Sequence, residues 1–136
     1  MKKLLIVFFT LFSISGFGQV KPYKIVFDLA SKDTADFSGV LRQFNNILKV
    51  APDAELEVVC HGPAIIMLVK DKTLVEEKMM EVKNRAHVSF KACANSMKRM
   101  HIDQADLVSL AEVVPVAMLE LADRQMEGWS YIRAGQ

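Results

Sequence analysis

The chain has 136 residues, 51% of them hydrophobic, and 17 lysines and arginines against 16 aspartates and glutamates, for a formal net charge of +1. That length supports one ordinary domain and is too short for two. Nothing in a balance so close to neutral suggests nucleic acid or an anionic membrane surface, both of which would want a basic patch.

Residues 1–18 read as a secretory signal peptide. Lys2 and Lys3 make a short basic start, Leu4 to Phe12 an apolar run, and Ser13 to Gly18 a small-residue stretch with Gly16 and Gly18 at peptidase spacing. The apolar run is far shorter than the roughly 20 residues a bilayer span requires. No cysteine follows it to carry a lipid anchor. The expectation is cleavage between Gly18 and Gln19, leaving one exported, periplasmic domain over 19–136 with no stable membrane insertion. Loss of Lys2 and Lys3 takes the formal net charge to −1.

From Tyr23 the chain alternates strands and helices. Tyr23 to Leu29 is a β-branched and aromatic run that predicts a buried strand. Phe37, Val40, Leu41, Phe44, Ile47 and Leu48 then recur at helical spacing, and Pro52-Asp53 stops that helix. Glu55 to Cys60 is a second strand, ended by His61-Gly62-Pro63, and Ala64 to Val69 is an apolar segment of no clear period. Thr73 and Glu76 have the spacing of a capping box, opening a helix with Val75, Met79, Val82 and Ala86 on one face. His87 to Ala92 predicts a third strand running into Cys93, followed by a short helix over Asn95–Met100 and a turn over Asp103–Leu110. Ala111 to Val116 is a fourth strand, which Pro115 marks as an edge or an end. Met118, Leu119, Leu121, Ala122 and Met126 mark a last helix, Gly128 is placed to cap it, and Trp129 to Arg133 is a fifth strand. Repeated β-α-β units predict an α/β domain with a mostly parallel five-stranded sheet covered by helices on both faces.

Ligands of open parallel sheets bind at the carboxyl ends of the strands. Two segments fall there, Cys60-His61-Gly62-Pro63 and Cys93-Ala94-Asn95-Ser96-Met97. Cys93 has the better case for chemistry, because a strand end that opens a helix exposes backbone N–H groups and a dipole that favours the thiolate. Lys91 and His61 are further candidates to stabilise it. Packing as a small apolar residue is the plain alternative for Cys93, and for Cys60 the default. Cys60 is also a candidate resolving thiol, provided the second and third strands are neighbours that bring the two Cα atoms within about 7 Å. For His61, satisfaction by local backbone groups is the simplest reading. No histidines stand at metal-ligand spacing, no phosphate loop is present in the sequence, and neither metal nor cofactor is expected. Met79, Met97, Met100, Met118 and Met126 read as core filler.

Val58 to Ile65, Val88 to Met97, Val114-Pro115 and Gln125 to Ile132 together resemble the DsrE/DsrF-like family. The His-Gly-Pro turn, the Ala-Cys-Ala-Asn motif and the Gln-x-x-Gly-aromatic end occur in order across nearly the whole exported part. The resemblance implies a three-layer α/β/α domain that assembles as a homo-oligomer, a trimer or hexamer. It implies sulfur handling through a cysteine persulfide at Cys93, with His61, Gly62 and Asn95 lining the pocket. Sulfur donor and acceptor proteins or small thiols would be the partners. Two further readings stand beside a sulfur carrier or sulfurtransferase: a non-catalytic oligomeric binding module, and a Cys60/Cys93 thiol–disulfide redox protein.

Overall fold

The computed structural model describes residues 21–85 and 87–135, so the expected signal peptide over 1–18 and Ala86 lie outside the described residues. The elements are β1 (Lys24–Leu29), α1 (Thr34–Val50), β2 (Glu55–Cys60), a 3₁₀ segment (Gly62–Leu68), α2 (Glu76–Arg85), β3 (His87–Cys93), α3 (Ala94–Arg99), a 3₁₀ turn (Gln104–Asp106), β4 (Ala111–Val114), α4 (Ala117–Met126) and β5 (Ser130–Ala134). All four strand pairings are parallel, in the order β4-β3-β2-β1-β5. The expected three-layer α/β/α architecture is the one observed.

Register decides which side chains share a layer. Phe27, Val58 and Phe90 stand side by side across β1, β2 and β3, and α1 packs on that face. Its Phe44 ring lies edge-on to Phe27 at 5.1 Å between centroids and 6.4 Å from Phe90. Phe37, Val40 and Leu41 complete the buried stripe that the helical spacing predicted. Asp33 caps α1 by accepting from the Ala35 N–H at 2.8 Å, which satisfies one of the amides a helix start leaves unpaired. α2 begins at Glu76, and Thr73 accepts from the Val75 N–H at 3.3 Å instead of completing a capping box.

The opposite face carries Glu57, Ser89 and Lys91, covered by α4. Glu57 is fully buried. Its two oxygens accept from Arg124 at 3.0 and 3.1 Å, and one of them accepts from the Ser89 hydroxyl at 2.8 Å. A buried carboxylate is tolerable only when paired and hydrogen-bonded in this way. The buried residues of α4 are Ala117 and Leu121, while Met118 and Met126 are 52% and 78% exposed. These two methionines are therefore not core filler, unlike Met79 and Met97. The reason is that α4 packs against the sheet on one side and has no second layer on the other. Gly128, at φ +87°, closes α4 as expected, with Gly128 N–H donating to Gln125 O and Trp129 N–H to Arg124 O.

β1 to β4 advance in one direction across the sheet, and then the chain doubles back through α4 to place β5 beside β1. β4 is thus an edge strand, ending before Pro115. After β3 the chain turns into α3, which packs on the Gly62–Leu68 segment beside α1, whereas after β4 it turns into α4 on the other face. Adjacent strands whose following helices part to opposite faces leave a crevice at their carboxyl ends. Cys93 lies there.

The aromatic cluster supplies a direct check on this core. Phe44→Ala should lower unfolding stability by about 3–5 kcal/mol, whereas Leu74→Ala, at an exposed site, should change it by less than about 0.5 kcal/mol. Urea denaturation of both variants measures this.

Candidate functional site

Cys93 ends β3 and is the N-cap of α3, so the amides of the first α3 turn face its sulfur. A second helix start reaches the same atom. The N–H of Ala117, first residue of α4, donates to Cys93 Sγ at 3.4 Å. The sulfur therefore sits between two sets of backbone donors from elements 24 residues apart. Burial, with only 4% of the residue exposed, pushes the thiol pKa up. The Ala117 N–H, the Ser96 N–H and hydroxyl and the Asn95 N–H outweigh it, so the Cys93 thiol lies below the ordinary cysteine value. Lys91 and His61 are not among the causes. Lys91 is held by Glu112 and, at 3.9 Å, by Glu57.

The other expected site residues fall into two groups. Gly62 takes φ +52°, a conformation that favours glycine. Its N–H donates to the buried Ser96 hydroxyl at 2.8 Å, tying the turn after β2 to the turn after β3. Asn95 contributes its backbone N–H, and its side chain is exposed. His61 is bonded by a side chain from another strand, not by local backbone groups: its Nε2 is 2.7 Å from Asp28 Oδ1.

Cys60 differs on every count. It is fully buried, and burial alone drives its thiol far above the ordinary value. β2 and β3 are neighbours, as pairing of the two cysteines would require, but the register aligns Cys60 with Ala92. Alternation then puts Cys93 on the opposite face of the sheet. Both cysteines are free. The Cys60 and Cys93 side chains therefore enter different layers although their strands are adjacent.

Three contributors escaped the sequence reading. Ser96 directly follows the Ala-Cys-Ala-Asn motif, and nothing local in the sequence marks its hydroxyl. The Ala117 amide had no local signal, because it approaches through the β4–α4 connection. Asp28 had one: it is the single charged residue between Ile25 and Leu29 in an apolar strand. No group of His, Cys, Asp and Glu among the described residues is arranged to hold a metal ion.

A thiol at the switch point of an all-parallel α/β/α domain, set among helix N-termini, defines the class of protein. The DsrE/DsrF-like family model matches residues 24–134, and the chain belongs to that family. Among solved structures it is similar to the protein of unknown function MTH1491 from Methanobacterium thermoautotrophicum, at 26% identity and a TM-score of 0.76, covering 82% of this chain and 98% of that one. The ychN protein from E. coli shares the fold at 14% identity and a TM-score of 0.66, over 83% of this chain and 99% of that one. No curated protein matches.

The amide cradle predicts a specific titration. The pH midpoint for alkylation of Cys93 by iodoacetamide should fall below that of the same cysteine in the urea-unfolded chain. Ser96→Ala should move the midpoint upward, while Cys60 should label only on unfolding. Peptide mass mapping across a pH series reads all three.

Proposed function

We propose that this protein is an exported sulfur carrier of sulfurtransferase type that holds sulfane sulfur as a persulfide on Cys93. The observation that carries the reading is the position of the Cys93 sulfur among donors from α3 and α4, which favour the anion. Thiolate is the form that attacks a sulfane sulfur. The same amides suit a persulfide anion, which also bears its charge on sulfur. Membership of the DsrE/DsrF-like family supports sulfur relay as the chemical setting.

In this reading, residues 1–18 direct export and the protein works in the periplasm. It takes sulfur from a donor protein or small thiol and passes it to an acceptor, without nucleic acid, metal or organic cofactor. His61, Gly62 and Asn95 border the sulfur-accepting position, Gly62 by clamping Ser96 and Asn95 by its amide. The working form is a homo-oligomer, a trimer or hexamer. The outward residues Met118, Leu119 and Met126 of α4 and the exposed Tyr131 and Ile132 of β5 supply apolar surface for such assembly.

One observation favours a second reading, a non-catalytic oligomeric module on the same fold: Cys93 is only 4% exposed. A single experiment separates the two. Incubated with cysteine persulfide, the wild-type protein and Cys60→Ser should each gain one sulfur atom by intact mass, and Cys93→Ser none. Failure of the wild type to gain sulfur would leave the binding module.

A further inference from the structure

Cys93 is not alone at the carboxyl edge of the sheet. His61 follows Cys60 in extended conformation (φ −143°, ψ 171°) and continues the β1 ladder by donating its N–H to Leu29 O at 3.0 Å. Continued by one residue, the Cys60–Ala92 register sets His61 opposite Cys93. Alternation puts both on the α4 face, about one strand spacing of 4.8 Å apart along the backbone. The Gly62–Ser96 bond keeps the two turns together.

On the far side of His61, the same face continues with Asp28 on β1, which accepts from His61 Nε2 at 2.7 Å. Asp28 Oδ2 in turn accepts from the Tyr131 hydroxyl of β5 at 2.6 Å. The side chains of His61 and Asp28 are only 23% and 15% exposed. Thiol, imidazole, carboxylate and phenol thus form a row across β3, β2, β1 and β5. A largely buried ionic pair is weak evidence for a purely stabilising role, since apolar residues often replace such pairs at little cost. His61 Nδ1 makes no hydrogen bond among the described residues, so the ring has one nitrogen held and one available.

We infer that His61 is the proton donor of sulfur transfer at Cys93, with Asp28 as the positioning residue that orients its ring and Tyr131 as the residue that fixes Asp28. The inference rests on the reading of Cys93 as the sulfur acceptor. In the step, the Cys93 thiolate attacks the outer sulfur of an alkyl persulfide, R–S–SH. A new S–S bond forms to Cys93, the old S–S bond breaks, and the electron pair leaves on R–S⁻. Protonated His61 gives its proton to R–S⁻, yielding R–SH, Cys93 persulfide and neutral imidazole. The sulfane sulfur moves without change of oxidation state, and solvent recharges the imidazole. Asp28 accepts from Nε2–H and so orients the ring, as carboxylates do for histidines in acid–base roles.

The test compares two donors in single-turnover loading of the purified protein, read by intact mass. Cysteine persulfide expels a thiolate that needs a proton. Benzenethiosulfonate expels a sulfinate that needs none. His61→Gln should load roughly 10²-fold more slowly from cysteine persulfide, and the loss should be at least tenfold smaller from benzenethiosulfonate. Asp28→Asn should show the same donor split at smaller size, and it carries the comparison if His61→Gln does not fold. Equal losses with both donors, or no loss with either while Cys93 still loads, would overturn the role of His61 and leave the sulfur-carrier reading standing. No loading of the wild-type protein from either donor would overturn both.

Discussion

The parallel register between β2 and β3 is the constraint on which the rest of the structure depends. With Cys60 aligned to Ala92, the chain's two thiols enter different layers, and His61 and Cys93 emerge together at the carboxyl edge. A slip of one residue would exchange every side chain between faces. A slip of β2 would drive Glu57 into the Phe27–Phe44–Phe90 cluster, and a slip of β3 would remove Cys93 from the start of α4. The register is held by burial on both faces: Leu56, Val58 and Cys60 beneath α1 and α2, Glu57 and Val59 beneath α4.

The two cysteines show how far one step along a strand can change chemistry. Each ends a strand of the same sheet, and each is nearly or wholly buried. Cys60 meets no polar partner that lowers its pKa, so desolvation acts alone and the thiol stays protonated. Cys93 suffers desolvation too, but amides from two helix starts and the Ser96 hydroxyl oppose it. Burial strengthens such hydrogen bonds while removing competing water, which makes the cradle effective despite its neutral donors. Lys91, the nearest cation in sequence, is spent on Glu57 and Glu112.

The charges of the α4 face are organised around a different centre. Arg124 joins Glu57, Glu120 and Glu127, and its guanidinium lies 4.9 Å from the centre of the Trp129 ring. Burial and the neighbouring Glu57 raise the Glu120 carboxyl above its ordinary value. This network anchors α4 to β2 and so holds the Ala117 amide against Cys93, a structural support for the site from the helix's opposite end.

The sequence by itself determined the order of strands and helices, the parallel sheet and the two segments at its carboxyl edge. Those depend on local periodicity, on breakers such as Pro52 and Gly128, and on the rule that parallel sheets carry their sites at one end. It also singled out Cys93, since a strand running into a short helix is a local pattern. Tertiary structure alone decided the partners. Asp28 meets His61 33 positions away and Tyr131 103 positions away, and Ala117 reaches Cys93 through a crossover that doubles back over the sheet. Strand order and register set those meetings. A single sequence carries the alternation within each strand but not the offset between strands, because that offset is fixed by the packing of the whole core.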